Sequence, residues 1–199
     1  MMASPVNKDS KRIMHMIPPQ SEGAEIGVWA ANTSVQFLNR GISKLELIDP
    51  YSVEPYKKSK EYPSYEKYLE KYARILHIEN NDEDFQKYYD RMYTQVKATV
   101  GNDPRVTIHR MTSTEWFESK PEKLDWIYVD GDHSYHGCLN DLESALKIVK
   151  PGGLIMGDDY LWPDAVYGKL GVTDAVDRFC KRYMLLKQQF GETQFLIKV

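Results

Sequence analysis

The feature that most constrains the fold is a pair of apolar segments that each end in acidic residues. The first segment ends at Asp130, in the letters DGDH, and the second follows Pro-Gly-Gly and ends at Asp158 and Asp159. Asp158 follows Asp130 by 28 positions, which leaves room for a helix from about Ser134 to Val149 and predicts a βαβ unit. Because the parallel strands of such a unit have adjacent carboxyl ends, we expect the three carboxylates to meet at one crevice.

The rest of the chain, with one exception, shows the same alternation of short apolar segments and amphipathic segments. It predicts strands at 24–29, 44–49 and 106–109, helices after Asn32-Thr33-Ser34, after Ser113 and over 172–183, and a closing hairpin over 184–190 and 193–199. A short leading helix over 13–17 ends at two prolines. The pattern indicates an α/β fold with a single domain over residues 1–199, a length that buries a full core.

The exception is the stretch from 52 to 100, which is too long for an ordinary connection in a compact α/β domain. Its tyrosines and apolar residues recur at helical spacing and predict two helices. Several tyrosines follow the second strand at the edge of the sheet where ligands bind: Tyr51, Tyr56, Tyr62, Tyr65, Tyr68 and Tyr72. Two interpretations remain open: part of this insertion closes over a substrate, or its tyrosines only pack helices or a subunit interface.

Composition argues against several classes of protein. With 26 basic and 29 acidic residues the net charge is −3, and no run of like charge indicates a nucleic-acid partner. Cys138 and Cys180 are too few for a disulfide framework or a zinc quartet. The start lacks a leader pattern, and no stretch reaches membrane-spanning length. We therefore expect a soluble, cytoplasmic protein.

With these segments placed, the chain resembles the class I S-adenosylmethionine-dependent methyltransferases. The subgroup concerned has a first motif of the form E-x-G-x-x-x-G-x-S-S and the letters DGDHSY after the fourth strand. The match covers 22–49 and 106–160 but not the insertion, and Ala31 stands where the family has glycine. The resemblance implies a Rossmann-like, seven-stranded, mostly parallel sheet with an antiparallel last strand and helices on both faces.

The resemblance also implies where the methyl donor, S-adenosylmethionine, binds. Glu25 and Gly27 would line its methionine side, and Asp49 would accept hydrogen bonds from the ribose hydroxyls. The complete implied set is Glu25, Gly27, Ala31, Asn32, Thr33, Ser34, Asp49, Pro50, Tyr51, Met111, Thr112, Ser113, Asp130, Asp132 and His133. Two alternatives stay open: Asp49 only begins a turn, or the chain is a nicotinamide-binding Rossmann domain, although the sequence has no G-x-G-x-x-G.

A metal site is implied by the same resemblance. Asp130, Asp158 and Asp159 match the metal-binding residues of catechol-type and macrocin-type O-methyltransferases. Three carboxylates suit magnesium, with manganese or calcium as alternatives, and such a cation would lower the pKa of an acceptor hydroxyl. His133 stands where the catechol-type enzymes place a lysine base, so the resemblance implies His133 and Asp130 as catalytic residues. The alternatives for His133 are a hydrogen bond to the donor and a cap on the next helix.

Other positions nearby have two interpretations each. Asp132 contacts the donor or caps the next helix. His136 is a second metal ligand or a solvated helix residue. Tyr160 and Trp162 form an aromatic wall for the acceptor or pack beneath a loop.

These observations predict a methyltransferase that acts on a hydroxyl group of a sugar, a glycan or a small polyol or phenol. Its expected partner is that small-molecule or glycan acceptor, with no membrane and no nucleic acid. Two alternatives come from other classes: a donor-binding interaction module without turnover, and an enzyme that methylates nucleic acid or protein.

Overall fold

The computed structural model describes residues 13–58, 65–163 and 170–199. Within them, seven strands form one sheet in the order β3-β2-β1-β4-β5-β7-β6. The strands are β1 (Glu22–Ile26), β2 (Lys44–Ile48), β3 (Val106–His109), β4 (Leu124–Val129), β5 (Val149–Gly157), β6 (Lys187–Phe190) and β7 (Gln194–Lys198). Strand β7 runs antiparallel to β5 and β6 and the other pairs are parallel, which confirms the expected sheet.

The helices are α1 (Asn32–Asn39), α2 (Glu54–Lys58), α3 (Tyr65–Leu76), α4 (Asp82–Val100), α5 (Ser113–Glu118), α6 (Tyr135–Ile148) and α7 (Gly171–Tyr183). The described part of the insertion therefore contains α2, α3 and α4 instead of the two predicted helices. The additional helix α2 begins where Ser52 accepts the backbone hydrogen bond of Glu54 and where Pro55 suits a first helical turn. The expected Tyr62 lies outside the described residues. In the described part of the chain, no helix is long and apolar enough to cross a membrane.

Helix starts differ from the sequence prediction in two places. Ala31 is the N-cap residue of α1 and makes no side-chain cap, while residues 32–34 lie inside the first turn. Helix α5 is capped by Thr112 rather than by Ser113, because Thr112 and Glu115 exchange side-chain to backbone hydrogen bonds in a capping box.

Both faces of the sheet are covered by helices. In β4, Trp126 packs with α1 and the insertion, whereas its neighbour Ile127 packs with α6 and α7 on the opposite face. This alternation follows from the two-residue period of a strand, and a central parallel strand is buried on both sides. Cys138 and Cys180 are free thiols buried in the second of these faces.

The central β4–α6–β5 unit forms as predicted. Ser134 caps α6 by accepting a backbone hydrogen bond at 3.1 Å. Strands β4 and β5 pair in parallel with Val129 opposite Gly157. This register brings Asp130 and Asp158, the next residue of each strand, to the same edge of the sheet.

Candidate active site

The loop after β1 approaches the end of β4 so closely that only glycine fits at position 27. Gly27 has a φ of +84°, and a Cβ added there would lie 2.0 Å from the carbonyl oxygen of Asp130. Such a contact is sterically impossible, and the positive φ disfavours any other residue. Gly27 thus lets the ends of β1 and β4 form one continuous wall.

Asp49, the residue after β2, fixes the same loop through its carboxylate. Its Oδ2 accepts hydrogen bonds from the backbone N–H groups of Val28 and Trp29, both at 3.0 Å, and its Oδ1 accepts one from Tyr51 at 2.8 Å. Trp29 is held at a φ of 51°, so β1 ends at Ile26 and not, as predicted, at Trp29. Burial raises the pKa of Asp49, and these bonds offset only part of that effect. Asp49 therefore begins a turn and also lines the cavity beside it.

Glu25 is buried in the same wall. Only 1% of it is exposed, and the Ser34 hydroxyl donates a hydrogen bond to its carboxyl group. Burial raises the pKa of Glu25 well above its usual value, and the bond from Ser34 compensates only in part. Ser34 therefore orients Glu25. It does not line the cavity, although the resemblance had placed it among the donor-binding residues.

The strand ends, α1, α6 and the insertion enclose a cavity of about 580 Å³, a usual size for a small-molecule site. Most predicted donor residues line it: Glu25, Gly27, Asn32, Thr33, Asp49, Pro50, Thr112, Ser113, Asp130, Asp132 and His133. Besides Ser34, the exceptions are Ala31, Tyr51 and Met111. Ala31 and Tyr51 point into the core beneath α1, and Met111 packs against the core of the other face.

Ala31 explains why the first motif has glycine at this position. It adopts a left-handed conformation with a φ of 62°, which costs a residue with a Cβ about 1–2 kcal/mol. Its methyl group is fully buried in the core and faces away from the cavity. The substitution therefore strains the loop without narrowing the donor site.

Acidic residues and a histidine meet at the ends of β4 and β5. His133 Nε2 lies 3.1 Å from Asp159 Oδ2 and 3.6 Å from Asp130 Oδ1. One ligand atom from each of these three residues falls within 4.8 Å of the others. Asp158 is not in this group, because its carboxylate accepts hydrogen bonds from the Thr193 hydroxyl and from the backbone of Asp159. The cluster thus contains His133 in place of the predicted Asp158.

This donor set of two carboxylates and one imidazole fits a divalent cation geometrically. It differs from the all-oxygen set that the sequence suggested, since imidazole favours transition metals over magnesium or calcium. Manganese, one of the predicted cations, is compatible with both ligand types.

The same contacts set the protonation of the cluster. Burial alone would lower the pKa of His133, but the hydrogen bond to Asp130 and the charges of Asp159 and Asp130 outweigh it and raise the pKa to about 9. Burial raises the pKa of Asp130 to about 6, although the hydrogen bond and the charge of His133 lower it. Near pH 7 His133 is therefore an imidazolium and Asp130 is largely ionised. In this state Asp130, not His133, is able to accept a proton.

Two polar residues near the cluster, Asp132 and His136, differ in their positions. Asp132 lines the cavity and its Oδ1 accepts the N–H of Ser134 at 2.9 Å. Because Ser134 itself caps α6, the alternatives in which Asp132 or His133 caps this helix are wrong. His136 is exposed and does not line the cavity, as expected for a solvated helix residue.

The predicted aromatic wall comes from other residues. Tyr160 is buried and its hydroxyl donates to Asp177 at 3.0 Å, which supports the packing interpretation, and neither Tyr160 nor Trp162 lines the cavity. The aromatic residues that do line it are Trp29, Tyr56, Tyr68, Tyr72 and Tyr89.

Sequence reasoning missed Asp141, another residue of the cavity wall. It is 2% exposed, and burial, only partly offset by a hydrogen bond with Ser113, raises its pKa to about 7. A signal was present in the sequence, because Asp141 shares the buried face of α6 with Cys138 and Leu142. An acidic residue on an apolar helix face indicates a polar site nearby.

The comparisons with known proteins agree with this geometry. A family model described as a methyltransferase domain matches residues 24–160. Among curated proteins, the uncharacterised protein R132 of Acanthamoeba polyphaga mimivirus is 40% identical over 43 residues, or 22% of this chain. That match spans only 20% of the length of the viral protein.

Solved structures share the fold at low sequence identity. The Streptococcus mutans protein SMU.1697c, crystallised with S-adenosylhomocysteine, is 12% identical with a TM-score of 0.60, over 100% of this chain and 99% of that one. An O-methyltransferase from Bacillus cereus, also with S-adenosylhomocysteine, is 15% identical with a TM-score of 0.54, over 100% and 83%. Spermidine synthase from Thermotoga maritima is 14% identical with a TM-score of 0.58, over 93% and 56%. At these identities the likeness shows the fold alone.

Proposed function

Because the chain belongs to the methyltransferase domain family, we propose that it transfers a methyl group from S-adenosylmethionine to a hydroxyl group of a small sugar, polyol or phenol. The observation that carries this proposal is the shared cavity. Asp130 and His133, which handle protons, line the same space as Gly27 and Asp49, which belong to the donor motif. Donor and acceptor groups can therefore meet there without any rearrangement of the sheet.

The residues of the cavity suit the donor. The first turn of α1 has no side-chain cap and Asn32 and Thr33 face the cavity, an arrangement that favours a carboxylate such as that of the methionine part. Asp49 is at the end of β2, where it can accept a ribose hydroxyl. When bound, S-adenosylmethionine supplies a methyl group on its sulfonium sulfur. The acceptor oxygen takes this methyl group by in-line displacement, and the sulfur leaves as the thioether of S-adenosylhomocysteine.

In this proposal Asp130 receives the proton of the acceptor hydroxyl, because its pKa of about 6 keeps it ionised near neutral pH. His133 holds Asp130 in place through their contact and balances its charge. The same three residues would alternatively hold a divalent cation; Asp130 would then be a ligand instead of the base, and the cation would make the acceptor hydroxyl more acidic. His133 must lose its proton before it can be a ligand, so such binding would release a proton.

An assay for S-adenosylhomocysteine release tests the proposal. Pools of sugars, polyols and phenols are offered with S-adenosylmethionine, with and without manganese, to the parent protein and to His133→Gln. The matched control is His136→Gln, an exposed histidine on the same segment. We expect release with a hydroxyl acceptor, a large loss in His133→Gln and none in His136→Gln. Donor retention without any turnover would instead indicate a binding module, and release only with nucleic acid or protein would replace the acceptor class.

A further inference from the structure

The insertion builds an aromatic wall opposite the strand ends. Tyr68 stacks on Tyr56 with ring centroids 4.2 Å apart and an interplanar angle of 19°, and its ring lies 4.6 Å from that of Tyr72. The hydroxyls of Tyr68 and Tyr89 are 2.8 Å apart, and Tyr56 hydrogen-bonds to both. Tyr68 and Tyr89 are almost fully buried, whereas Tyr56 and Tyr72 remain partly exposed to the cavity. The two inner rings thus support the two outer ones.

Trp29 connects this wall to the donor loop. Its ring lies 5.5 Å from Tyr88 and 6.1 Å from Tyr89, both on α4. Its backbone N–H is bound by Asp49, and 40% of the residue is exposed. The wall is therefore placed next to the donor motif, as a subsite for the methyl acceptor must be.

The charges of the cavity restrict what the wall can bind. Among the described residues that line it, none is lysine or arginine, whereas five carry a carboxyl group: Glu25, Asp49, Asp130, Asp132 and Asp141. Of the described residues that line the cavity, only His133 can carry a positive charge, and it already pairs with Asp130 and Asp159. An acceptor with a phosphate or carboxylate would be repelled by these carboxylates and would find no lysine or arginine among the described lining residues to pair with.

A cationic acceptor is disfavoured for a different reason. Each of the five carboxyl groups already has a partner within the protein: Ser34 for Glu25, the loop amides for Asp49, His133 for Asp130, the amide of Ser134 for Asp132, and Ser113 for Asp141. The bound donor would add a sulfonium and an ammonium to the same space. An ammonium group on the acceptor, which the cluster cannot coordinate as it would a metal ion, would therefore be repelled by these charges.

We infer that Trp29, Tyr56 and Tyr72 form the acceptor subsite and that it takes an uncharged ring that carries hydroxyl groups. A flat tyrosine or tryptophan face stacks on a sugar or phenol ring. This inference rests on the proposed function, since it assigns the acceptor of the same site. It adds that charge, as well as shape, selects that acceptor.

The test uses two matched sets of probes in the presence of saturating S-adenosylhomocysteine. One set is glucose, glucosamine and glucose 6-phosphate, and the other is catechol, dopamine and protocatechuate. Binding is measured by saturation-transfer NMR and titration. We expect a neutral probe to bind at least about tenfold more tightly than its cationic and anionic counterparts, because each charged probe meets electrostatic repulsion in the cavity.

Variants then assign the subsite. Tyr56→Ala and Tyr72→Ala should weaken binding of the neutral probe about tenfold while the affinity for S-adenosylhomocysteine stays within about twofold. Tyr72→Phe keeps the ring and should retain most of the binding even if an alanine variant folds poorly. The control is Tyr183→Ala. Tyr183 packs on Phe179 of α7, on the other face of the sheet.

The inference is overturned if a charged probe binds as tightly as the neutral one, if no neutral probe binds, or if both alanine variants bind it unchanged. These outcomes are distinct from failure of the proposed function. If S-adenosylhomocysteine itself does not bind, the donor site is wrong, whereas normal donor binding with one of the results above contradicts only the acceptor subsite.

Discussion

The imidazole of His133 contacts the carboxylate of Asp159 at 3.1 Å, across the ends of two neighbouring strands. The contact joins the sequence DGDH after β4 to the second acid after β5. It gives His133 a negative neighbour on each side, since Asp130 is the other, and Asp158 is not part of this cluster. The protonation and metal chemistry of the site both depend on this arrangement.

The first prediction concerns the pKa of His133 in metal-free protein. It should be about 9, above the usual 6.5, because Asp130 and Asp159 stabilise the imidazolium against the opposing effect of burial. The stabilisation of the folded state by this pairing is then complete below about pH 6.5 and is lost as the pH rises through about 9. NMR titration of the ring protons measures the pKa of His133. Asp159→Asn should lower the value, Asp158→Asn should change it less, and a His133 that titrates near 6.5 in the parent would contradict the pairing.

The second prediction separates the two acids after β5. Asp159→Asn should weaken manganese binding by at least about tenfold, because it removes a ligand, whereas Asp158→Asn should bind almost normally. Calorimetry measures both affinities. If a bound cation, and not Asp130 alone, activates the acceptor hydroxyl, chelation should abolish turnover and added cation should restore it. Full turnover after exhaustive chelation would rule out the metal.

The third prediction concerns Asp49, which binds the loop after β1 and lines the donor cavity. Asp49→Ala should weaken S-adenosylhomocysteine binding about ten- to hundredfold, the effect of about 1.5–3 kcal/mol from a lost charge-assisted hydrogen bond. Asp49→Asn keeps one acceptor oxygen and should lose less. Calorimetric affinity that is unchanged in a folded Asp49→Ala protein would sink the donor assignment.

The fourth prediction compares two glycines that both have positive φ. Gly27→Ala places a Cβ 2.0 Å from the backbone of Asp130, whereas Gly41→Ala meets nothing within 4 Å. Gly41→Ala should reduce the free energy of unfolding by about 1–2 kcal/mol, the cost of the left-handed conformation alone. Gly27→Ala should lose about 3 kcal/mol or more. Equal losses in urea unfolding would mean that β1 and β4 do not approach as closely as described.

The fifth prediction is that part of the insertion closes over the acceptor. Trypsin should cut the exposed Lys57 and Lys58 of α2 readily in the free protein and more slowly once S-adenosylhomocysteine and a neutral acceptor are both bound. Cleavage at the exposed Lys181 and Arg182 of α7 serves as the internal control. If the ligands do not change the cleavage rate at Lys57 and Lys58, only a packing role remains for the tyrosines.

Local pattern was sufficient for much of the fold. The period of the apolar residues identified the strands and helices around Asp130, and the geometry of a βαβ unit required that Asp130 and Asp158 lie at the same edge. The closing hairpin followed from short-range chemistry in the same way, whereas the N-cap of α6 is Ser134 and not Asp132 or His133, the two caps considered from the sequence. These features depend on residues close in sequence or on one connection of fixed handedness.

Side-chain directions at the site were decided by the tertiary structure. Asp158 turns away from the cluster to Thr193, which is 35 residues later in the chain, and Asp159, with a φ of 60°, turns towards His133 instead. Ala31 faces the core for a similar reason, since α1 packs on the sheet there. The sequence by itself determined which strand ends meet, because strand period and connection are local. Which side chains face one another at those ends depended on contacts between distant segments, and these exist only after the chain has folded.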